Sequence, residues 1–206
     1  RRALAGSFAE FREKYLGTRT FPHQQCWVDL LEGADEPSWL HPSFTFEPAR
    51  KTRLLVNTPP NHAKSTTVTA DYATYRVCRD PNVRIIIVSQ TQAMAKKFLY
   101  SIKSRLTHPK YLDLQMAFAP EGGFRATADS WTAQCIYLGD EVRDSGEKDP
   151  TVEALGLNGH IYGARADLII CDDIVTLKNA SDWGKQQDLL RQEFASRLGP
   201  LGQLLV

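Results

Sequence analysis

Leu54-Leu55-Val56-Asn57-Thr58-Pro59-Pro60-Asn61-His62-Ala63-Lys64-Ser65-Thr66 decides how this chain is read. The apolar start predicts a buried strand, the proline-rich middle a tight loop, and Lys64-Ser65-Thr66 the opening of a helix. Strand, loop and helix in that order are the layout of a phosphate-binding loop with the template G-x-x-x-x-G-K-[ST]. Lys64 and Ser65 fall in register with it, while Thr58 and Ala63 hold the two glycine positions. A helix N-terminus offers unpaired N–H groups and a partial positive charge, which suits a polyphosphate. Pro60, Asn61, His62, Ala63, Lys64, Ser65 and Thr66 are therefore the candidate phosphate-binding residues. Lys64 reaches the terminal phosphates and the Ser65 hydroxyl is a candidate Mg²⁺ ligand. Ala63 is the smallest substitute for glycine, and the two prolines remove two N–H donors while stiffening the loop. The competing reading is a proline-rich turn into an ordinary helix.

A second stretch bears on that choice. Ala166-Asp167-Leu168-Ile169-Ile170-Cys171-Asp172-Asp173 is an apolar run ending in two carboxylates. Such a run predicts a central parallel strand buried on both faces. Adjacent carboxylates at its end need partners or a metal. In nucleotide hydrolysis one acid holds the Mg²⁺ shell and another polarises the attacking water, which makes Asp172 and Asp173 candidates for such a pair. The alternative is a strand followed by an acidic turn.

The 206 residues are 42% hydrophobic and 24% charged, enough for one α/β domain. A net charge of +1 gives no global field for nucleic acid, so any such surface is a local patch. Cys26, Cys78, Cys135 and Cys171 are scattered without a C-x-x-C pair and read as buried free thiols of a reducing compartment. No apolar run approaches the ~18 residues of a membrane span, and no signal peptide is legible. The start at Arg1 and the apolar end at Leu204-Leu205-Val206 suggest a piece of a longer protein.

Along the chain, residues 3–16 carry Leu4, Phe8, Phe11, Tyr15 and Leu16 at helical spacing, an amphipathic helix closed by Gly17 with a packing role. Phe21-Pro22-His23-Gln24 opens a second helix to about Gly33, and residues 35–50 form an extended loop. Residues 64–78 are helical, and Val83–Ser89 is a β-branched strand. Ser89-Gln90-Thr91 caps a helix over 92–106 with Met94, Phe98, Ile102 and Leu106 as its apolar face. Successive strand–helix units imply a mainly parallel sheet with crossover helices. Residues 107–133 are mixed, and 133–138 form a strand. Residues 139–163 are charged and glycine-rich and read as a mobile excursion. Residues 181–197 form a polar helix capped by Ser181, and 203–206 begin another strand.

Taken together, Pro22-His23-Gln24, the 58–66 loop, Lys148-Asp149-Pro150-Thr151, Gly163-Ala164-Arg165-Ala166-Asp167, Cys171-Asp172-Asp173 and Ser196-Arg197-Leu198 resemble the N-terminal ATPase domain of tailed-phage terminase large subunits. The resemblance implies a three-layer P-loop NTPase fold of the ASCE, RecA-like class. Residues 1–50 form an adenine-side lid of that domain and residues 51–206 its core, ending before the coupling motif and the nuclease domain. It implies ATP and Mg²⁺ as ligands and hydrolysis that drives double-stranded DNA into a procapsid. The implied partners are DNA, further copies of the chain in a ring, the portal protein and the small terminase subunit, in the host cytoplasm and with no membrane. By the same resemblance Gln24 contacts adenine, with Phe21 or Trp27 stacking near the base. It also implies that Asp172 is the Mg²⁺ carboxylate, and Asp173 stands where many relatives have the catalytic glutamate that acts on the water. Many relatives also carry an arginine within the loop and an Arg-Gly pair before the acidic strand. Here Tyr162-Gly163 takes that place, which leaves Arg165, and after it Arg143, as candidates for a catalytic arginine reaching a neighbour's nucleotide. A helicase-like ATPase and a degenerate loop that binds without turnover are the alternatives.

Overall fold

The computed structural model describes residues 6–206 except 44, 48–51, 140–142, 145, 158, 160–162 and 177–178. Helix α1 (Phe8–Phe11) opens on a reciprocal cap: the Glu10 amide donates to Ser7 Oγ (3.3 Å) and the Ser7 amide to Glu10 Oε2 (2.9 Å). It continues as the wider helical segment Arg12–Leu16 and stops at Gly17, whose φ of 62° lies in the left-handed region. Helix α2 (Pro22–Leu31) has proline in its first turn, where no amide partner is lost. Strand β1 (Arg53–Leu54) is only two residues long. It lies at the edge of the sheet and leaves Leu55 74% exposed, so the buried strand expected there is a short edge strand with Val56 turned inward.

After the 58–64 loop, the π-helical segment Ser65–Asp71 runs into α3 (Tyr72–Arg79). Strand β2 (Ile85–Ser89) is buried at every position. Thr91 caps α4 (Gln92–Thr107) by accepting from the Met94 amide (3.2 Å). The buried stripe of α4 is Ala95, Leu99, Ile102 and Leu106, with Met94 and Phe98 only half-buried at its border. The 107–133 stretch contains α5 (Leu112–Phe118) and β3 (Ser130–Trp131), followed by β4 (Cys135–Tyr137).

The segment expected as an excursion holds a strand of the sheet, β5 (Val152–Gly156). Thr151, Val152 and Ala154 are fully buried there, so this part of the chain is packed core. Strand β6 (Ala166–Asp172) carries the apolar run. Ser181 does not act as a cap: it lies in a short 3₁₀ turn, Ala180–Asp182, ahead of α6 (Trp183–Asp188). The helical path continues through Leu189–Phe194 and Ala195–Arg197 to β7 (Leu198–Leu205), which starts well before residue 203.

The seven strands form one sheet in the order β1-β7-β6-β2-β5-β4-β3. β1, β7, β6, β2 and β5 are parallel, and β4 and β3 complete one edge antiparallel. This is a mixed α/β fold with a mostly parallel sheet flanked by helices. Alternate side chains of β2 and β6 divide the core. Ile85, Ile87, Leu168 and Ile170 pack under α1 to α5, whereas Ile86, Val88, Ile169 and Cys171 pack against Phe194 and its neighbours. The first face includes interlocked rings of Phe8, Phe11, Tyr15, Tyr72, Tyr75 and Phe118, which fix α1 on α3.

Gly156 ends β5 against the start of α4, where its amide donates to Gln92 Oε1 (2.7 Å) and a Cβ would stand 2.7 Å from the Gln92 backbone nitrogen. Gly156→Ala is expected to lose about 1–3 kcal/mol of stability through overpacking against backbone. The urea midpoint of the variant checks this, and a midpoint equal to that of the parent would show that the β5–α4 junction yields freely.

Candidate active site

Because β1 and β6 are parallel members of one sheet, the loop after β1 and the acids at the end of β6 emerge on the same edge. The structure brings four predicted residues together there. Lys64 Nζ donates to Asp173 Oδ1 at 2.8 Å, across 109 positions of sequence. Ser65 Oγ donates to Asp172 Oδ1 at 2.9 Å. Thr69, four residues on and so on the same side of the helical segment, donates to Asp172 Oδ2. The Asp172 carboxylate is 4% exposed and has a hydroxyl donor on each oxygen, which satisfies the requirement for a buried charge. Thr69 escaped the sequence reading; the Ser65/Thr69 spacing was its only signal.

The loop shows why its template asks for glycine. Asn61 (φ 68°) and Ala63 (φ 57°) are left-handed, a region that costs a side chain about 1–2 kcal/mol. Ala63 stands at the second template glycine and adopts the backbone a glycine would. His62 Nδ1 lies 3.1 Å from the Pro59 carbonyl and 3.0 Å from that of Pro60, folding the loop on itself. Pro60, Asn61, His62, Ala63 and Thr66 are exposed, so the rim of the loop is open to a ligand. Asp173 is also left-handed, at φ 50°. Aspartate is among the side chains that tolerate this region best, a physical reason for Asp rather than Glu at this turn.

Beside the loop, His23 packs edge-on to His62 (5.3 Å between centroids) and stacks with Phe21 (6.1 Å, 12°), which is 51% exposed. Trp27 backs the same ring (5.6 Å). Gln24, expected beside adenine, is engaged within the chain. It is 2% exposed and its Oε1 accepts from Arg12 Nη1 (3.2 Å) and from the Phe21 amide (3.3 Å), while Nε2 donates to the His62 carbonyl (3.5 Å). Both lone pairs of that oxygen are used, so the amide cannot pair with an adenine edge without breaking these bonds.

The two candidate arginines lie elsewhere. Arg165 immediately precedes β6, whose six steps from Ala166 to Asp172 span about 20 Å at ~3.3 Å per residue. It is exposed, and its amide donates to Asp149 Oδ2 (3.2 Å). The carboxylate of Asp167 is taken by Arg84, which donates from Nε (3.0 Å), Nη2 (2.8 Å) and its own amide (3.0 Å). Burial raises the Asp167 pKa, but the bonds from Arg84 outweigh it and hold the group below the usual carboxylate range. Arg143 is 5% exposed, and its Nε and Nη2 have no partner among the described residues. Burial lowers its pKa, against the nearby carboxylate of Glu147. A side chain so enclosed would have to leave its site before it could reach a neighbouring subunit. Tyr162 lies outside the described residues.

Lys64, Thr69 and Asp172 line a void of only about 10 Å³, since the site is filled by its own side chains. A cavity of about 700 Å³ opens further along the same sheet edge, between Gln90, Thr91, Leu157 and the 179–193 helical stretch, and does not reach Lys64. Cys171, next to Asp172, is fully buried and burial raises its thiol pKa strongly, which keeps it inert. Cys78 is likewise buried, Cys26 and Cys135 are partly so, and none of the four is in a disulfide. Among the described residues no helix is long and apolar enough to cross a membrane.

No protein-family model matches the chain. The chain is similar to the terminase large subunit of Enterobacteria phage T3, at 29% identity over 136 residues, which is 65% of this chain and 21% of that protein. It thus spans about a fifth of the relative's length. The likeness supports a terminase-like chain.

Proposed function

We propose that this chain is the ATPase part of a viral DNA-packaging motor, a P-loop domain of the ASCE, RecA-like class that hydrolyses Mg-ATP to move double-stranded DNA into a procapsid. The observation that carries this reading is the convergence of Lys64 and Ser65 on Asp173 and Asp172 at one sheet edge. A proline-rich turn and an acidic turn without a common purpose have no reason to meet in that pairing. In the proposed site Lys64 leaves Asp173 for the terminal phosphates, and the first amides of the Ser65 segment bind the phosphate chain. Ser65 Oγ and Asp172 offer a hydroxyl and a carboxylate oxygen, a hard-oxygen pair that fits Mg²⁺. The ion, when bound, supplies charge neutralisation to the phosphates. Asp173, freed from Lys64, orients and deprotonates the attacking water. The exposed ring of Phe21, held by His23, is the surface on which the base stacks.

The same reading places the chain as one member of a homo-oligomeric ring on the portal protein, working with a small terminase subunit in the host cytoplasm. The loop without glycine favours a second reading, a nucleotide-binding domain without turnover. Hydrolysis measured with and without double-stranded DNA separates a DNA-driven ATPase from that alternative. Lys64→Ala tests the site itself. Mg-ATP at about 100 times its dissociation constant is expected to stabilise the parent chain by ~2.7 kcal/mol and to leave Lys64→Ala unmoved. Equal thermal shifts in the two proteins would refute the phosphate-site assignment.

A further inference from the structure

Beneath the loop lies a buried polar network that the packing role of the first helix does not explain. Arg12 is 1% exposed and donates to four side chains: from Nε to Asp71 (3.2 Å), from Nη1 to Thr20 (3.0 Å) and Gln24 (3.2 Å), and from Nη2 to Thr67 (3.2 Å). Asp71, also 1% exposed, receives a second guanidinium from Arg105, through Nε (2.8 Å) and Nη2 (2.6 Å). Thr67 and Asp71 belong to the helical segment that the loop opens. Gln24 then joins Arg12 to the loop backbone at His62, the residue between the two left-handed positions.

These bonds close a circuit: loop, Gln24, Arg12, Thr67 with Asp71, and back along the helix to the loop. Strained backbone persists only where its surroundings hold it. We propose that Gln24 and Arg12 are positioning residues, a clasp that holds the loop in its phosphate-binding shape, and that Gln24 does not read the base. This rests on the nucleotide-site reading above and deepens it. The clasp governs polyphosphate affinity whatever base is attached. It needs the planar fork of arginine, because one ammonium cannot reach Asp71, Gln24 and Thr67 together in fixed geometry.

The experiment is calorimetric titration of the chain with Mg-ATP, Mg-GTP and tripolyphosphate, using Gln24→Leu and Arg12→Lys beside the parent. Gln24→Leu leaves the Arg12–Asp71 pair in place, and urea unfolding of each variant checks its fold. The expected result is a loss of about tenfold, equivalent to ~1.4 kcal/mol, shared equally by all three ligands, with the ATP/GTP ratio unchanged. Weakened ATP with unchanged tripolyphosphate in Gln24→Leu makes Gln24 a base reader and overturns the clasp. Unchanged affinities in a folded Arg12→Lys reduce Arg12 to packing and overturn its half of the proposal. If Arg12→Lys does not fold, Gln24→Leu decides alone. A parent chain that binds no polyphosphate fails the phosphate site itself, an outcome that neither variant can imitate.

Discussion

Asp173→Asn is expected to bind Mg-ATP a few-fold more tightly than the parent chain and to lose hydrolysis by about 10²–10⁴. Both effects come from one bond. Lys64 is held by Asp173 at 2.8 Å, with the lysine side chain 21% and the aspartate 60% exposed. A nucleotide must displace that carboxylate from the ammonium it needs. An ion pair so open to solvent is worth under ~1 kcal/mol, which limits the gain in affinity to a small factor. The loss of turnover is larger because an amide cannot take a proton from water. Asparagine tolerates the left-handed backbone at φ 50° as well as aspartate does, so the turn keeps its shape. Alanine would add backbone strain and blur the result. Single-turnover hydrolysis beside equilibrium binding checks both halves. Full activity in the variant would move the base elsewhere, but the structure offers poor substitutes. Glu147 accepts from the Asp149 amide (3.1 Å) and lies 3.8 Å from Arg84. Glu153 sits near the amino-terminal end of β5, away from the carboxyl ends that carry the site, and burial raises its pKa. Glu141 lies outside the described residues.

The four converging residues were legible because each stood where a strand ends or a helix begins, positions that sequence marks well. A parallel sheet then brings such ends to one edge without further instruction. The strand β5 was not legible. Val152-Glu153-Ala154-Leu155-Gly156 has one β-branched residue and follows a charged stretch, so nothing local marks it as buried. Only its neighbours β2 and β4 make it a strand. The buried stretch expected at Leu54-Leu55 failed for a related reason, since apolarity does not tell an edge strand from a central one. Arg12 and Asp71 did leave a trace. Each sits on the apolar stripe of its own helix, Arg12 among Phe8, Tyr15 and Leu16, and Asp71 beside Val68 and Tyr72. A charge on an apolar face asks for a buried partner, and two such faces of opposite sign point at each other. That signal was present, and the amphipathic reading of residues 3–16 passed over it.

If the chain is the proposed ring ATPase, the position of Arg165 predicts how its copies cooperate. The loop from Thr58 to Thr66 contains no arginine, so on that reading a guanidinium for the transition-state charge comes from elsewhere. Arg165 stands at the start of β6, about 20 Å from the acids at the end of the strand, by the rise of an extended chain. It cannot serve its own subunit. An exposed guanidinium on one sheet edge and a phosphate site on the other is a head-to-tail pair of surfaces, the kind that closes into a ring when the rotation permits. An arginine supplied in trans is worth about 10³–10⁵ in rate. The chain is therefore expected to hydrolyse slowly as a monomer and faster per subunit as concentration drives assembly. Arg165→Ala should bind ATP normally and lose the assembled rate. Mixing it with Lys64→Ala, which supplies the arginine but holds no nucleotide, should restore turnover that neither protein shows alone. Sedimentation of the mixture confirms that the two assemble under the assay conditions. Assembly without recovery would exclude Arg165. Recovery with Arg143→Ala in its place would instead require the enclosed Arg143 to leave a site where it is 5% exposed. That carries a large desolvated-to-solvated rearrangement, which proteolysis of the 139–150 region on assembly would reveal.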